Sequence, residues 1–314
     1  MLHFIKLIYA ILGFTFEVNS DKKILVIGLG QIGYSNAEYM TSIGLKPDGY
    51  DIFPAAVDRA LSSEVIQSGA TSFEGYDYYL ICVSTHNPDD MFVPYLDGVY
   101  ELAKKLEREG KPGALIGIDS TVPRGTSNKI KEIVKHKLHV AHVPHRLYIG
   151  DKEKYGVNCI RVLGVSDECC KNEALHFYKD MLKVPLHIVG SIDVAELTKT
   201  VENSYRFLEI AFAEELKMVC DNIDVDFEEL RKAINTKWNI KILEAQGGIG
   251  GHCLPKDSQM VLELSKGAIP TSLLDTAKQI DKHYRDHIGE EIVKESEKKY
   301  LIDQTPKPKV LVKQ

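Results

Sequence analysis

A G-x-G-x-x-G motif near the start of the chain restricts the possible folds more than any other feature. An apolar run rich in β-branched residues at 23–28 predicts a buried strand of a parallel sheet. Gly28, Gly30 and Gly33 form the motif, and helical spacing of apolar residues continues over 32–43. Glycines at this spacing allow a tight turn, a close approach of the backbone to a pyrophosphate, and close packing of helix on strand. The segment therefore predicts the first βα unit of a dinucleotide-binding α/β domain.

The residues after this unit indicate which dinucleotide is bound. A second strand in "DGYDIF" ends near Asp51, at the separation from the glycine motif where a carboxylate commonly accepts hydrogen bonds from a ribose diol. No arginine directly follows Asp51 to hold a 2′-phosphate, so the sequence favours NAD over NADP. The alternative is a structural glycine turn with Asp51 facing solvent.

Strands and helices continue to alternate through the first half of the chain. Further strands are predicted at 76–84, 113–120, 138–145, 159–165 and 185–190, with helices at 94–110 and 127–137. This alternation predicts a doubly wound parallel (Rossmann) sheet, which binds ligands beyond the carboxyl ends of its strands. The polar side chains at those ends are Ser84, Thr85, Ser120, Thr121 and His145, although serine and threonine there also serve as caps and turn residues. The predicted NAD contacts are Gly28, Gly30, Gln31, Ile32, Gly33, Asp51, Ser84, Thr85 and Thr121.

The second half of the chain predicts an all-helical domain built around one long helix. Residues 193–222 contain no glycine or proline, and their apolar residues recur at helical spacing. Lys199 and Asn203 are four residues apart and share a face, where an ammonium and an amide can bind a developing oxyanion. The alternative for this pair is a solvated helix surface.

The stretch "QGGIGGHCLPKD" at 246–257 places four glycines beside one thiol. Because a helix is predicted from Asp257 onward, Cys253 lies at a loop-to-helix junction, where the helix dipole is expected to lower the pKa of the thiol. A thiolate is a competent nucleophile, and Asp257 is placed to position water or a hydroxyl. The alternative, an inert buried thiol, leaves the four glycines unexplained.

Composition excludes some classes of protein. The 314 residues are enough for two domains, and a net charge of -6 argues against nucleic acid as the main partner. The six cysteines include no C-x-x-C pair, so neither a zinc site nor a disulfide framework is predicted, and reduced thiols indicate a cytoplasmic protein. The apolar run within residues 1–20 is too short to span a bilayer and predicts a docked or dispensable extension.

Together these segments resemble the UDP-glucose/GDP-mannose dehydrogenase family. The resemblance is carried by "GLGQIG", "STVPRGT", "AELTKTVENSYRFLEIAFAEEL" and "GGIGGHCLPKD", in that order. It implies oxidation of the C6 hydroxymethyl group of a nucleotide sugar to a carboxylate, with two NAD molecules used in succession. The implied roles are nucleophile for Cys253, stabilisation of the alkoxide and oxyanion for Lys199 and Asn203, and organisation of the water for Asp257 with Thr121.

The sequence departs from the family pattern in two places. His145, in "PHRLYIG", replaces the glutamate that usually acts as base for thioester hydrolysis, and the form of this motif resembles the UDP-N-acetylmannosamine dehydrogenase branch. A histidine at this position can act as the base near neutral pH. The resemblance also implies a third, nucleotide-binding domain that this sequence lacks, with 302–314 similar to its first strand. The predicted division is 1–20 extension, 21–190 NAD-binding domain, 191–301 helical domain and 302–314 tail.

Two other functions remain open from the sequence. One is a two-electron β-hydroxyacid-type dehydrogenase, which needs no thiol. The other is a non-catalytic NAD-binding homologue that needs a partner chain to supply the nucleotide-binding domain. The long helix and its apolar stripe predict a homodimer, as the family resemblance also implies.

Overall fold

The computed structural model describes residues 22–87, 89–90 and 92–289. The predicted N-terminal extension, the tail at 302–314 and the last part of a helix predicted at 271–301 lie outside the described residues. A single sheet of seven strands, in the order β2-β1-β3-β4-β5-β6-β7, forms the first half. The strands are β1 (Ile24–Ile27), β2 (Asp48–Tyr50), β3 (Tyr78–Ile81), β4 (Leu115–Ile118), β5 (His139–His142), β6 (Arg161–Val165) and β7 (Leu186–Ile188).

Helices cover the sheet and form the second half of the chain. They are α1 (Gln31–Ser42), α2 (Pro54–Ser62), α3 (Asp97–Glu109), α4 (Thr126–Ile133), α5 (Glu168–Ala174), α6 (Ile192–Asn222), α7 (Phe227–Ile234), α8 (Cys253–Ser265) and α9 (Leu273–Ile288). This arrangement confirms the predicted fold class, an α/β sheet followed by helices with one long member. The predictions did not contain α2, α5 or α7, which are seven to nine residues long and too short to give a sustained helical pattern.

The strands have two buried faces, as an apolar run without polar alternation predicts. In β1, Ile24 and Val26 belong to the hydrophobic cluster on one side of the sheet. Leu25 and Ile27 belong to the cluster on the other side. All four side chains are 2% exposed or less. Helices are therefore needed on both faces, and the alternation along the chain supplies them.

The sheet is not wholly parallel. β6 runs antiparallel to β5, with Ala141 paired to Val165, while every other pair of neighbouring strands is parallel. The connection from β5 to β6 contains one 3₁₀ turn (Ile149–Asp151) and no crossover helix. Parallel neighbours are usually joined by a helical crossover, and this connection of 18 residues at 143–160, which contains no crossover helix, returns the chain in the opposite direction.

The long helix α6 is the framework of the second half. It has 31 residues, and Ser191 caps its start by accepting a hydrogen bond from the Val194 N–H. Both α8 and α9 pack against it. A small apolar cluster at this junction includes Phe207, Ile249 and Ala277. In the described part of the chain, no helix combines the length and apolar character that crossing a bilayer requires.

Candidate active site

The glycines before Cys253 form a loop that is held by α9. Gly248 and Gly251 have φ values of +94° and +72°, which favour glycine. Between them, the Ile249 N–H donates to Asp281 Oδ1 at 2.7 Å, and the Ile249 carbonyl accepts from Arg285 Nη2 at 2.5 Å. A Cβ atom on Gly248 would lie 2.8 Å from Arg285 Nε. The glycines thus let the loop pack closely against Asp281 and Arg285 of α9.

This loop delivers Cys253 to the first residue of α8. The residue is exposed, and its Sγ lies 3.3 Å from His252 Nδ1. Protein atoms nevertheless surround the thiol, and burial is the main cause that raises its pKa above the usual value. The Asp257 carboxylate raises the pKa further, while two lysines nearby lower it. The predicted lowering of this pKa is therefore wrong for the ligand-free chain, because desolvation outweighs the helix end and the cations.

Asp257 is the centre of a buried polar cluster between α6 and α8. Its side chain is 1% exposed, and its two oxygens accept from Lys256 Nζ and from Asn203 Nδ2, both at 2.5 Å. The structure thus brings together two of the predicted site residues, Asn203 and Asp257. Lys256 was not predicted, although it lies inside the quoted motif, because nothing in the sequence distinguishes a buried lysine from a solvated one.

Lys199 lies on α6 one turn before Asn203. It is half-buried and makes no hydrogen bond or ion pair with any described residue. Its charge lowers the pKa of both Cys253 and His145, so the ammonium group lies close to each of them. An unpaired cation beside a thiol is suited to stabilising an oxyanion that forms on a substrate bound there.

His145 lies in the wall of the same site, but its surroundings do not suit a base. It is 4% exposed; its Nδ1 accepts from the Leu147 N–H at 3.1 Å, and its Nε2 bonds to Asn36 Oδ1 at 3.0 Å. Burial, followed by the charges of Arg161 and Lys199, holds its pKa well below the usual value. An imidazole kept neutral with both nitrogens occupied is a poor proton acceptor, which contradicts the expected base role.

A buried ionic network lies behind His145. Asp119 accepts from Asn36 Nδ2 at 2.8 Å and from Tyr178 OH at 2.7 Å, and it pairs with Arg161 at 2.6 Å. Arg161 is fully buried. These residues are far apart in the sequence, so no local pattern indicates the network, which fixes Asn36 and through it the tautomer of His145.

The glycine motif has the geometry that a pyrophosphate site requires. Gly28 has a φ of +92°, and a Cβ atom on Gly33 would lie 1.7 Å from the Gly28 carbonyl oxygen. Asp51 Oδ2 accepts from the Leu29 N–H at 2.6 Å, which ties the carboxylate to the loop. Gly30 leads into α1 with open space around its Cα. Gln31 and Ile32, the other predicted contacts, are the first two residues of α1, where free N–H groups attract anions.

Thr85 and Ser84, two of the predicted NAD contacts, have hydroxyl groups with different partners. Thr85 is 5% exposed and donates to the Thr121 carbonyl at 2.7 Å, so its hydroxyl connects two strand ends. Ser84 bonds to His86 Nδ1. The His86 ring stacks on His252, with centroids 4.2 Å apart and planes 4° from parallel. This stack, which was not predicted, joins the carboxyl end of β3 to the Cys253 loop and places the thiol at the ligand-binding edge of the sheet.

Comparison with known proteins identifies the family. Residues 64–182 match the NAD binding domain of the UDP-glucose/GDP-mannose dehydrogenase family, and residues 193–283 match the central domain of the same family. The chain therefore belongs to the UDP-glucose/GDP-mannose dehydrogenase family. The match to its NAD binding domain also confirms NAD as the predicted cofactor.

Several members of the family are similar to most of this chain. The chain is 31% identical over 268 residues to a UDP-N-acetyl-D-mannosamine dehydrogenase from Methanococcus maripaludis, covering 79% of this chain and 62% of the relative. It is 29% identical to an NDP-N-acetyl-D-galactosaminuronic acid dehydrogenase from Ralstonia solanacearum, covering 83% and 68%. The structure of the UDP-D-ManNAc dehydrogenase from Pyrococcus horikoshii is similar with a TM-score of 0.72 and 27% identity, covering 83% of this chain and 68% of that one. The chain thus spans somewhat under two thirds of the length of the first of these relatives.

Proposed function

We propose that this chain carries the catalytic half of an NAD-dependent nucleotide-sugar 6-dehydrogenase. The observation that supports it best is the position of Cys253: an accessible thiol, next to the unpaired Lys199, at the edge of the sheet where dinucleotides bind. The two-electron alternative gives this thiol no role. A non-catalytic homologue does not require the unpaired ammonium of Lys199 beside the Cys253 thiol.

The residues of the site divide the reaction between them. NAD, when bound, accepts one hydride in each of the two oxidations that convert a C6 alcohol to an acid. After the first oxidation, Cys253 Sγ attacks the aldehyde carbon, its proton passes to His252 Nδ1, and the carbonyl electron pair moves onto the oxygen. The Lys199 ammonium stabilises that alkoxide. The second oxidation leaves a thioester, and water then cleaves the C–S bond to release the acid and the thiol.

The remaining site residues hold this arrangement. Asn203 and Asp257 fix α6 against α8, so that Lys199 and the thiol keep their separation. Asp257, with Thr121, is the proposed site of the hydrolytic water. His145 is proposed as a positioning residue, because its buried imidazole already bonds to Leu147 and Asn36.

The substrate class follows from the relatives. We propose a UDP-linked N-acetylated amino sugar, because the Methanococcus and Pyrococcus relatives are named for UDP-N-acetyl-D-mannosamine and its abbreviation. The Ralstonia relative, named for an N-acetylgalactosaminuronic acid, makes the epimeric sugar the first competitor. The predicted division at residue 190 and a cytoplasmic location remain proposals.

A homodimer is proposed from the surface of α6. Apolar side chains between 46% and 62% exposed recur along this helix at Val194, Val201, Tyr205, Phe212 and Val219. Their spacing of seven or four residues places them on one face, as in helices that pair with a second helix. We propose that α6 of a second copy of the chain packs against this stripe.

The decisive experiment counts electrons. The chain is incubated with NAD and UDP-N-acetylmannosamine, UDP-N-acetylgalactosamine or UDP-glucose, and NADH is measured against sugar consumed. Two NADH per sugar, with formation of an acid, are expected with an N-acetylated sugar. One NADH per sugar, without acid, supports two-electron chemistry, and bound NAD without turnover supports a non-catalytic homologue.

The nucleophile is tested in parallel. Cys253→Ser should abolish acid formation, because a serine hydroxyl forms no thioester. Cys159→Ser, at a half-buried free cysteine, is the matched control and should retain activity. Acid produced by Cys253→Ser at the rate of the parent would contradict the assignment.

A further inference from the structure

A second group of sulfur and nitrogen donors lies away from the active site. Among the described residues, ligand atoms of His139, Cys169 and Cys170 all lie within 4.8 Å of one another. The family resemblance gives these residues no role, and their separation in sequence concealed them, since His139 is 30 positions before the cysteines. We propose that they form a binding site for a zinc ion that joins α5 to the start of β5.

The antiparallel direction of β6 brings the residues of this cluster together. Because β6 runs antiparallel to β5, Val165 at the end of β6 pairs with Ala141, two positions after His139. The chain then turns and enters α5, whose second and third residues are the two cysteines. The cluster therefore lies at the amino-terminal edge of β5, opposite to the edge where His145 and the thiol of the active site are found. A metal bound here is therefore separate from the active site.

The surroundings of Cys170 suit a metal-bound sulfur. Its side chain is nearly fully buried, and the Val140 backbone bonds to its sulfur. Lys131 Nζ lies 3.8 Å from the same sulfur and is itself paired with Asp167. A cation that binds both sulfurs would compensate the charge of two thiolates in this buried position.

The other two donors are free to bind. The His139 side chain makes no hydrogen bond with the described residues, and it is half-buried at the edge of the strand. Cys169 is exposed, which gives an ion a route of entry and leaves water as the fourth ligand. Two thiolates and an imidazole suit Zn²⁺ and disfavour Mg²⁺ or Ca²⁺, which prefer oxygen.

The geometry requires a small adjustment. With Zn–S bonds of about 2.3 Å, tetrahedral donors lie about 3.8 Å apart. Because Cys169 is exposed, the proposed site closes through a change in the rotamer of this side chain. Binding converts two thiols and one neutral imidazole into a Zn(thiolate)₂(imidazole) site, and two protons pass to the solvent.

Cobalt(II) is the probe, because tetrahedral cobalt–thiolate sites absorb in the visible and near ultraviolet. The parent protein is the full chain carrying Cys253→Ser, so that the active-site thiol cannot contribute. One equivalent of Co²⁺ should give this spectrum, Zn²⁺ should displace it, and two protons should be released per metal ion. Zinc at 100 times its dissociation constant should raise the melting temperature by roughly 5 °C or more.

Three variants separate this site from adventitious binding. His139→Gln and Cys169→Ser change accessible side chains, and each should weaken metal binding at least 100-fold without altering the circular dichroism spectrum. Cys159→Ser in the same parent is the matched control and should bind as the parent does. If the parent shows no thiolate band, or if His139→Gln and Cys169→Ser bind cobalt as tightly as the control, the proposed site is wrong.

Discussion

Glu214 makes the stability of this chain depend on pH in an unusual direction. It lies on α6 with no exposed surface, and neither carboxyl oxygen has a hydrogen-bond partner among the described residues. Burial, followed by the charge of Asp281, raises its pKa to about 8, and Arg285 opposes this only in part. The folded chain therefore holds a proton on Glu214 at neutral pH that the unfolded chain has already lost.

The size of the effect follows from the difference in pKa. Because the folded state binds more protons than the unfolded state between the two pKa values, the free energy of unfolding falls as pH rises from about 4.5 to about 8. Each pKa unit corresponds to about 1.4 kcal/mol, so the loss between pH 5 and pH 8 is roughly 3 kcal/mol. Below pH 4.5 the group is protonated in both states and contributes no slope.

Replacing Glu214 with Gln tests this reasoning. A glutamine has nearly the same shape and stays neutral, so Glu214→Gln should remove the slope and stabilise the chain at pH 8 by roughly 3 kcal/mol. Unfolding by urea, followed by circular dichroism at pH 5 to 8, measures both quantities. The control is Glu215→Gln, the exposed neighbour on the same helix, which should leave the slope unchanged. A parent-like slope in Glu214→Gln would refute the argument.

Three further predictions concern the cofactor loop, the pocket wall and the dimer. Gly33→Ala places a Cβ 1.7 Å from the Gly28 oxygen and should lower both the melting temperature and the affinity for NAD. The Cβ of Gly30→Ala meets no atom within 4 Å, so this variant should weaken NAD binding alone. Calorimetric titration and melting curves measure the two effects separately. His145→Gln should lower kcat less than tenfold and leave the shape of the pH–rate profile unchanged, and loss of one limb of that profile would restore the base role. Phe212→Asp, on the exposed stripe of α6, should convert a dimer to monomers in sedimentation velocity, and a parent that sediments as a monomer would remove the basis for the dimer.

The elements that the sequence predicts correctly are those determined by nearby residues. The strand before Gly28 and the helix after Gly30 agree with the structure within about one residue, since apolar periodicity and a steric demand for glycine both act over a few positions. The long helix α6 was predicted for the same reason, from 30 residues without a helix breaker. The direction of β6 was not predicted, because it depends on the absence of a crossover helix in the connection from β5.

The polar contacts of the site depend on distant residues, and for that reason they could not be read from the sequence. Asn36 meets Asp119 across 83 positions, and His145 meets Asn36 across 109. A local pattern identifies His145 as a candidate base, but only the three-dimensional contacts show that both of its nitrogens are occupied. The pKa of Cys253 is a similar case, since the helix end is visible in the sequence and the burial that outweighs it is not.

The raised pKa of Cys253 decides what else the site must contain. A thiol that is neutral at rest needs a proton acceptor at the moment it attacks a carbonyl, and the acceptor must be within hydrogen-bond reach. His252 Nδ1 meets this requirement at 3.3 Å, whereas the imidazole of His145 is committed to Leu147 and Asn36. The parallel stack of His86 on His252 restricts the rotation of that acceptor. We therefore propose His252 as the proton acceptor when the thiol attacks, a step that is separate from the thioester hydrolysis for which His145 is the expected base.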